Sequence, residues 1–185
     1  MNFAQIRKYD VANGPGIRTT IFVTGCTHKC PHCFNEEYQD FNFGKPWTRN
    51  ETDEVIKNLK LDEVKGLTIL GGEPFQNEVN LLGVIRDIKK EVQKDIWIFS
   101  GYTYEEILKD QDKKKLLEEC DVLVDGRFVE ALKDLSLRFR GSSNQRIIDI
   151  KKSLESNKVV LFDLENFTLQ LIKFYLLTSK FLIPI

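Results

Sequence analysis

The sequence lacks the excess of basic residues that a polyanion-binding protein carries. Its 27 lysine and arginine residues are balanced by 28 aspartate and glutamate residues, which leaves a formal net charge of −1. Proteins that bind nucleic acid usually show a basic excess in their composition, so we do not expect nucleic acid to be a direct partner. The 185 residues are enough for one domain with a well-buried core.

Export and membrane signals are also missing. Arg7 and Lys8 lie near the N-terminus, but the apolar stretch of a secretory signal does not follow them. No uncharged run approaches the ~20 residues that a membrane-spanning helix requires. With only four cysteines, the chain is too cysteine-poor for a secreted domain held by disulfides. Reduced thiols without an export signal indicate a cytoplasmic protein.

Three of the four cysteines nevertheless fall within eight residues. Cys26, Cys30 and Cys33 are spaced C-x3-C-x2-C, directly after a β-branched stretch. Thiolates are soft ligands that select iron–sulfur clusters, zinc or copper(I). A 4Fe–4S cube held only by cysteine uses four thiolates, so three would leave one iron open for chemistry. The competing interpretation is a Cys3His zinc site completed by His28 or His32, although zinc sites more often draw their ligands as two separated pairs.

Segments with strand and helix character alternate along the chain. Runs rich in β-branched and aromatic residues predict five strands, at residues 17–24, 66–70, 95–99, 121–124 and 146–150. Capping-box patterns predict helix starts at Thr48 and Thr103, and apolar residues at helical spacing predict another helix from Leu81 to Val92. This alternation indicates an α/β fold with right-handed crossovers. Five strands are too few for a closed eight-stranded barrel, so we expect an open, partial (β/α) barrel of about five to six mostly parallel strands.

The first four predicted strands each end in a loop of unusual composition. These loops are Gly25-Cys26, the Gly-Gly-Glu-Pro stretch at residues 71–74, Ser100-Gly101-Tyr102 and Asp125-Gly126. The C-terminal ends of parallel strands share one edge of a sheet, and ligands bind there. We therefore expect all four loops to meet in one mouth.

An aromatic-rich segment follows the cysteine loop. Its rings are Phe34, Tyr38, Phe41, Phe43 and Trp47. The simplest interpretation is a lid that packs over the cysteine loop, and substrate contact is the alternative. The remaining cysteine, Cys120, is expected to be a buried small hydrophobe.

Several blocks of the sequence resemble a known family. The C-x3-C-x2-C triplet resembles the signature of radical S-adenosylmethionine (SAM) enzymes. Residues 13–18 (Asn-Gly-Pro-Gly-Ile-Arg), together with Phe34-Asn35, resemble the glycyl-radical-enzyme activases within that superfamily. Residues 122–128 and 140–146 are similar to the activating proteins of anaerobic ribonucleoside-triphosphate reductases. The resemblance covers residues 1–160 as an activase domain of radical SAM type, and residues 161–185 form an apolar C-terminal extension outside it.

The resemblance implies a cofactor and a set of site residues. Cys26, Cys30 and Cys33 would bind one 4Fe–4S cluster, and SAM would chelate the iron that lacks a cysteine. Glu73, beside Gly71 and Gly72, would hydrogen-bond the methionyl amino group of SAM. The residues expected to contact SAM are His32, Cys33, Phe34, Gly71, Gly72, Glu73, Ser100 and Tyr102.

The resemblance also implies the reaction and its partners. A reduced flavodoxin or ferredoxin would supply one electron, and SAM cleavage would give methionine and a 5′-deoxyadenosyl radical. That radical would take a hydrogen from a glycine of the large anaerobic ribonucleotide reductase subunit and leave a glycyl radical there. The protein's part would be to orient the cofactor and exclude side reactions, with no catalytic residue beyond the cluster ligands.

The residues are also compatible with functions other than reductase activation. The chain could activate pyruvate formate-lyase or another glycyl-radical enzyme, although it lacks the additional cysteine clusters of some of those activases, and residues 140–146 favour the reductase. It could also be a radical SAM enzyme that acts on a small molecule, or a non-catalytic zinc-binding module. The apolar extension 161–185 is expected to cover an edge of the barrel, or else to bind the reductase, a second copy or a membrane surface.

Overall fold

The computed structural model of the protein describes residues 1–165, which form an α/β fold around one open sheet. The strands of this part of the chain are β1 (Asn2–Asp10), β2 (Ile17–Val23), β3 (Lys45–Pro46), β4 (Val64–Gly71), β5 (Asp95–Phe99), β6 (Val122–Asp125) and β7 (Arg146–Asp149). The α-helices are α1 (Arg49–Leu59), α2 (Glu78–Glu91), α3 (Tyr104–Ile107), α4 (Gln111–Glu118) and α5 (Ile150–Ser156). None of the helices in this range is long and apolar enough to span a bilayer.

The sheet has the strand order β3-β1-β2-β4-β5-β6-β7. The central strands β2, β4, β5 and β6 are parallel, as the alternation of strands and helices predicts. The pairings of β1 with β2, β1 with β3 and β6 with β7 are antiparallel. The sheet is therefore mixed, with seven strands in the described range where five to six mostly parallel strands were expected.

Two differences from the expected strands have clear physical causes. The strand predicted at residues 17–24 is not the first, because β1 precedes it; the second half of β1 carries exposed polar residues, including Arg7 and Lys8, which hide the strand pattern. The strand predicted at 146–150 is present as β7 but runs antiparallel. Between β6 and β7 the chain forms only a short 3-10 helix, Glu130–Leu132, and so lacks the crossover helix that would return it parallel to β6.

Both predicted capping boxes are confirmed. At the start of α1, Thr48 Oγ1 accepts from the backbone N–H of Asn50 at 3.2 Å, and the Thr48 N–H donates to Glu51 Oε2 at 2.7 Å. At the start of α3, Thr103 forms the same reciprocal pair with Glu106. These contacts satisfy N–H groups that a helix start leaves without intrahelical partners.

The larger hydrophobic core lies between the helices and one face of the sheet. The face predicted for α2 is confirmed for its buried residues, Leu81, Ile85 and Ile88. Cys120 is buried in the same core, as expected, and burial raises the pKa of its thiol. This core fixes the strands from which the loops at the sheet edge extend.

A smaller cluster covers the opposite face of the sheet around Trp97. The rings of Phe139 and Phe162 pack edge-on against Trp97, at centroid distances of 5.8 and 5.4 Å. Leu161 forms an isolated bridge with Ile148, so the first residues of the predicted extension lie along β7. The rest of that extension, residues 166–185, lies outside the described residues.

Arg18, the last residue of the block at residues 13–18, has a structural role. Its side chain is fully buried, donates to Thr68 Oγ1 at 2.7 Å and forms an ion pair with Asp95 at 2.8 Å. Burial lowers the pKa of this guanidinium, and Asp95 acts in the opposite direction. At Gly14, which has a φ of +139°, a Cβ would lie 2.7 Å from Arg18 Cδ. This block therefore joins β2, β4 and β5 below the sheet edge that carries the loops.

Candidate functional site

The ends of the parallel strands surround one cavity of about 590 Å³. This volume is in the range of small-molecule and cofactor sites. The predicted site residues that line the cavity are Cys26, Cys30, Cys33, Phe34, Gly71, Gly72, Glu73 and Ser100. Gly126, from the loop after β6, lines the cavity as well, so all four predicted loops meet here, as the α/β alternation predicts. His32 is exposed, and neither His32 nor Tyr102 is among the lining residues.

Backbone hydrogen bonds anchor the cysteine loop, residues 25–33. The N–H of Gly25 donates to Tyr38 O at 2.8 Å, and the N–H of Cys26 donates to Gln39 O at 3.0 Å. On the other side, the N–H of Glu73 donates to Gly25 O at 2.8 Å. Further along the loop, Lys29 and His32 adopt left-handed backbone conformations. The loop is therefore fixed at its start by two neighbouring segments.

The aromatic segment meets the cysteine loop only in part. The Phe41 ring lies so close to Gly25 that a Cβ there would be 2.2 Å from it. Tyr38 packs on Phe22 and Phe43. Trp47 does not belong to the expected lid, because it packs edge-on against Phe3 at 5.3 Å and donates to Thr52.

The thiols of the loop are partly buried. Burial raises the pKa of Cys26 to about 11, while a hydrogen bond from the His28 N–H to Cys26 Sγ, at 3.4 Å, partly offsets the rise. Burial also raises the pKa of Cys30, and the neighbouring Cys33 adds to the rise. These thiols would release their protons on binding a metal, since the thiolate is the ligand.

A structural zinc site and a 4Fe–4S cluster place different demands on these residues. A structural zinc site gathers four ligands around one ion, whereas in a 4Fe–4S cube each thiolate binds a different iron. Within residues 1–165, no group of three histidine, cysteine, aspartate or glutamate side chains is arranged around one point that could hold a single metal ion.

Gly71 and Gly72 lie where the backbone at the end of β4 comes very close to the backbone of neighbouring segments, and a side chain would not fit there. Gly71 has a φ of +120°, which is the region that favours glycine. A Cβ at Gly72 would lie 2.6 Å from Gly25 O and 2.7 Å from Tyr38 O. The absence of side chains here thus brings the end of β4 against the cysteine loop, besides leaving the backbone open to the cavity.

Glu73 is a buried carboxylate with four protein donors. Its Oε1 accepts from the Phe75 N–H and the Ser100 hydroxyl, both at 2.9 Å. Its Oε2 accepts from the Gly101 N–H at 2.7 Å and lies 2.9 Å from His28 Nε2. Glu73 therefore joins its own loop, the end of β5 and the cysteine loop.

His28 is the residue that the sequence left without a specific role. The sequence indicates only a possible zinc ligand at this position, whereas in the structure the His28 side chain is buried and faces Glu73. Tyr102 packs edge-on against the His28 ring at a centroid distance of 4.5 Å, so its place is behind this histidine. The sequence signal was limited to the position of His28 between two cysteines, because its partner lies 45 residues away.

The block at residues 140–146 holds the segment after β6 in place. Gln145 donates to Gly126 O at 2.9 Å and accepts from the N–H of Gly141. Asn144 donates to Arg127 O at 2.9 Å. These side-chain contacts support Phe128, whose ring lies 4.8 Å from that of Phe34 beside the cysteines. The block therefore builds one wall of the cavity.

Comparisons with known proteins identify the family of the chain. Residues 12–148 match the family described as 4Fe-4S single cluster domain. Three relatives are each named anaerobic ribonucleoside-triphosphate reductase-activating protein. The protein of Escherichia coli (strain K12) is 41% identical over 150 residues, which are 78% of this chain and 96% of the relative. That of Vibrio cholerae serotype O1 is 40% identical over 152 residues, 80% of this chain and 97% of the relative. That of Enterobacteria phage T4 is 36% identical over 150 residues, 80% of this chain and 93% of the relative.

The matched residues include the cysteine loop, the Gly71-Gly72-Glu73 loop and the block at 140–146. The chain belongs to the family of anaerobic ribonucleoside-triphosphate reductase-activating proteins, and it contains a 4Fe–4S single cluster domain.

Proposed function

We propose that the chain is a radical SAM activase that generates a glycyl radical on an anaerobic ribonucleoside-triphosphate reductase. The observation that carries the proposal is the convergence of three cysteines and the Gly71-Gly72-Glu73 loop on one cavity. When bound, a 4Fe–4S cluster and SAM supply the one-electron cleavage and the hydrogen-atom abstraction that this reaction needs. The residues of the chain bind and orient both groups.

Cys26, Cys30 and Cys33 would hold the cluster. They are the three cysteines that line the cavity, whereas Cys120 is buried in the core on the helix side of the sheet. Three thiolates leave one iron of the cluster without a cysteine ligand. SAM would bind in the cavity and chelate that iron. The donor set thus fits a cluster with an open iron.

Gly71, Gly72 and Glu73 would hold the methionyl part of SAM. The two glycines expose backbone to the cavity, and Glu73 fixes that backbone through its four donors. Phe34 and Phe99 line the cavity and would pack against the adenine, while Ser100 lies beside Glu73. His32 and Tyr102, which do not line the cavity, would act from its margin.

Several wider features belong to the same proposal. The open seven-stranded sheet would be the partial barrel of radical SAM type, with residues 1–160 as the activase domain. Flavodoxin or ferredoxin would be the electron donor. The protein would be cytoplasmic. The large subunit of the reductase would present its glycine at the mouth of the cavity.

A paired cysteine replacement tests the proposal. Under argon, wild-type protein reconstituted with iron and sulfide should turn brown and cleave SAM when reduced, whereas Cys30→Ala should lose SAM cleavage. Cys120→Ala is the matched control, because this thiol is buried away from the cavity, and its cleavage should be unchanged. Undiminished cleavage by Cys30→Ala, or a colourless wild-type protein, would contradict the assignment.

Two different functions are separable by simple measurements. A zinc-binding module would contain zinc instead of iron and would have no visible absorption band, so metal analysis decides this case. An activase of pyruvate formate-lyase would cleave SAM but would place the glycyl radical on that enzyme. Electron paramagnetic resonance (EPR) of each candidate partner after incubation identifies the target.

A further inference from the structure

We propose that His28 is a positioning residue that fixes the cysteine loop against the Gly71-Gly72 backbone through its hydrogen bond to Glu73. The inference rests on the proposed function in one respect, since the geometry that it maintains is the one between cluster and SAM. It concerns a residue of the C-x3-C segment that is not itself a cluster ligand.

The contact between His28 and Glu73 is short and shielded from water. The Nε2–Oε2 distance is 2.9 Å, and the two side chains are 5% and 1% exposed. The ring is also held by its neighbours, because Tyr102 packs edge-on against it and a Cβ at Gly101 would lie 2.5 Å from its Cδ2. The imidazole therefore has little freedom to move.

The other donors to Glu73 show what the His28 bond adds. Those of Phe75, Ser100 and Gly101 come from the Glu73 loop itself and from the end of β5. His28 is the donor that comes from the cysteine loop. Its bond is thus the one through which the carboxylate holds that loop.

The position of His28 explains why this bond matters for the site. It lies two residues after Cys26 and two residues before Cys30, so its hydrogen bond restrains the part of the loop between these two cysteines. On the other side of the bond, Glu73 follows directly after the two glycines that line the cavity. A displacement of about 1 Å between reacting groups can cost roughly 100-fold in rate, so a rigid link here preserves the alignment of cluster and SAM.

Three variants separate the hydrogen bond from the packing of the ring. His28→Phe keeps an aromatic ring against Tyr102 but removes the donor, and His28→Gln restores an N–H donor at a similar reach. Lys29→Asn is the control, because Lys29 is exposed, and asparagine tolerates its left-handed φ of 51°. Each protein is reconstituted anaerobically, and three quantities are measured: iron per chain, the SAM dissociation constant and the change in the EPR signal of the reduced cluster on SAM addition.

The expected result is a selective loss of SAM alignment. His28→Phe should retain its iron, but its dissociation constant for SAM should rise about tenfold or more, as for the loss of a hydrogen bond to a charged group, and the SAM-induced EPR change should disappear. His28→Gln should restore both, and Lys29→Asn should match the wild type. If His28→Phe fails to take up the cluster, restoration of iron and of the EPR change by His28→Gln would still support the bond.

Two results would overturn the inference without touching the proposed function. One is a His28→Phe protein with wild-type SAM affinity and EPR change. The other is a His28→Gln protein that behaves as His28→Phe does, which would make the ring, not the hydrogen bond, the important feature. Failure of the wild-type protein itself to bind a cluster or SAM would instead contradict the proposed function.

Discussion

At the level of single residues, the carboxylate of Glu73 is a junction between three segments of the cavity wall. Four donors from those segments point at its two oxygens, and the side chain is almost fully buried. Buried donors that lose their acceptor cost free energy, and this cost is larger when the acceptor was charged. Glu73 therefore supports the structure of the site before any ligand binds.

Glu73→Ala should accordingly weaken the metal-free protein. We expect the free energy of unfolding, measured by urea titration, to fall by roughly 3 kcal/mol, because the donors around Glu73 lose their acceptor. Glu54→Ala, at an exposed position of α1, is the control and should change the free energy of unfolding by less than about 0.5 kcal/mol. Equal values for the two variants would show that the Glu73 contacts contribute little. SAM binding should weaken in Glu73→Ala as well, while the cluster absorbance remains.

At the level of elements, the turn after β4 matters because it is in contact with the cysteine loop. Gly72 donates its N–H to Val23 O at 2.8 Å, and its Cα faces the backbone of Gly25 and Tyr38. The contact is between main chains, which cannot move aside as a flexible side chain can. The end of β4 and the cysteine loop are therefore one structural unit.

A pair of glycine substitutions tests this unit. Gly72→Ala should lower the free energy of unfolding by about 1–3 kcal/mol through overpacking, and the displaced cysteine loop should take up less iron on reconstitution. Gly83→Ala lies in α2 with no atom within 4 Å of the added methyl, so it should raise the free energy of unfolding by about 1 kcal/mol. Urea titration and iron analysis give both comparisons. Normal iron uptake by Gly72→Ala would show that the loop tolerates the displacement.

At the level of the whole molecule, the open sheet has two unequal faces. The helices cover one face with a large core, and the other carries the small cluster around Trp97. Phe162 contributes to that cluster, and its N–H donates to Ile147 O at 2.8 Å. Residues just beyond the predicted boundary at position 160 thus pack on the sheet.

Two truncations measure what these residues contribute. A chain that ends at Glu165 should have a free energy of unfolding about 2 kcal/mol higher than one that ends at Val160, because the shorter chain loses the partly buried ring of Phe162. Both chains retain the residues that line the cavity, so both should bind iron. The comparison isolates residues 161–165, and equal stabilities would show that their packing on Trp97 is weak.

Predictability differed between parts of the molecule for physical reasons. The strand at 95–99, both capping boxes and the buried face of α2 follow from local patterns, and the sequence predicted them correctly. The strand β1 and the antiparallel direction of β7 were missed, because exposed polar residues mask the first and a loop without a crossover helix decides the second. The role of Trp47 was assigned wrongly, since only the position of Phe3 in space determines where that ring packs.

The sequence by itself determined the ligand chemistry and the edge of the sheet where it is found. Cysteine spacing restricts the type of metal centre that the chain can hold, and the alternation of strands with helices brings the loops to one edge of the sheet. Both patterns can be seen in the sequence because each depends on residues close together in the chain. Only the tertiary structure decided how those loops hold one another: the contact of His28 with Glu73 and the approach of Gly72 to Gly25 join residues more than 40 positions apart. Such contacts depend on how the strands pair and pack, and local sequence patterns do not determine which residues far apart in the chain come into contact.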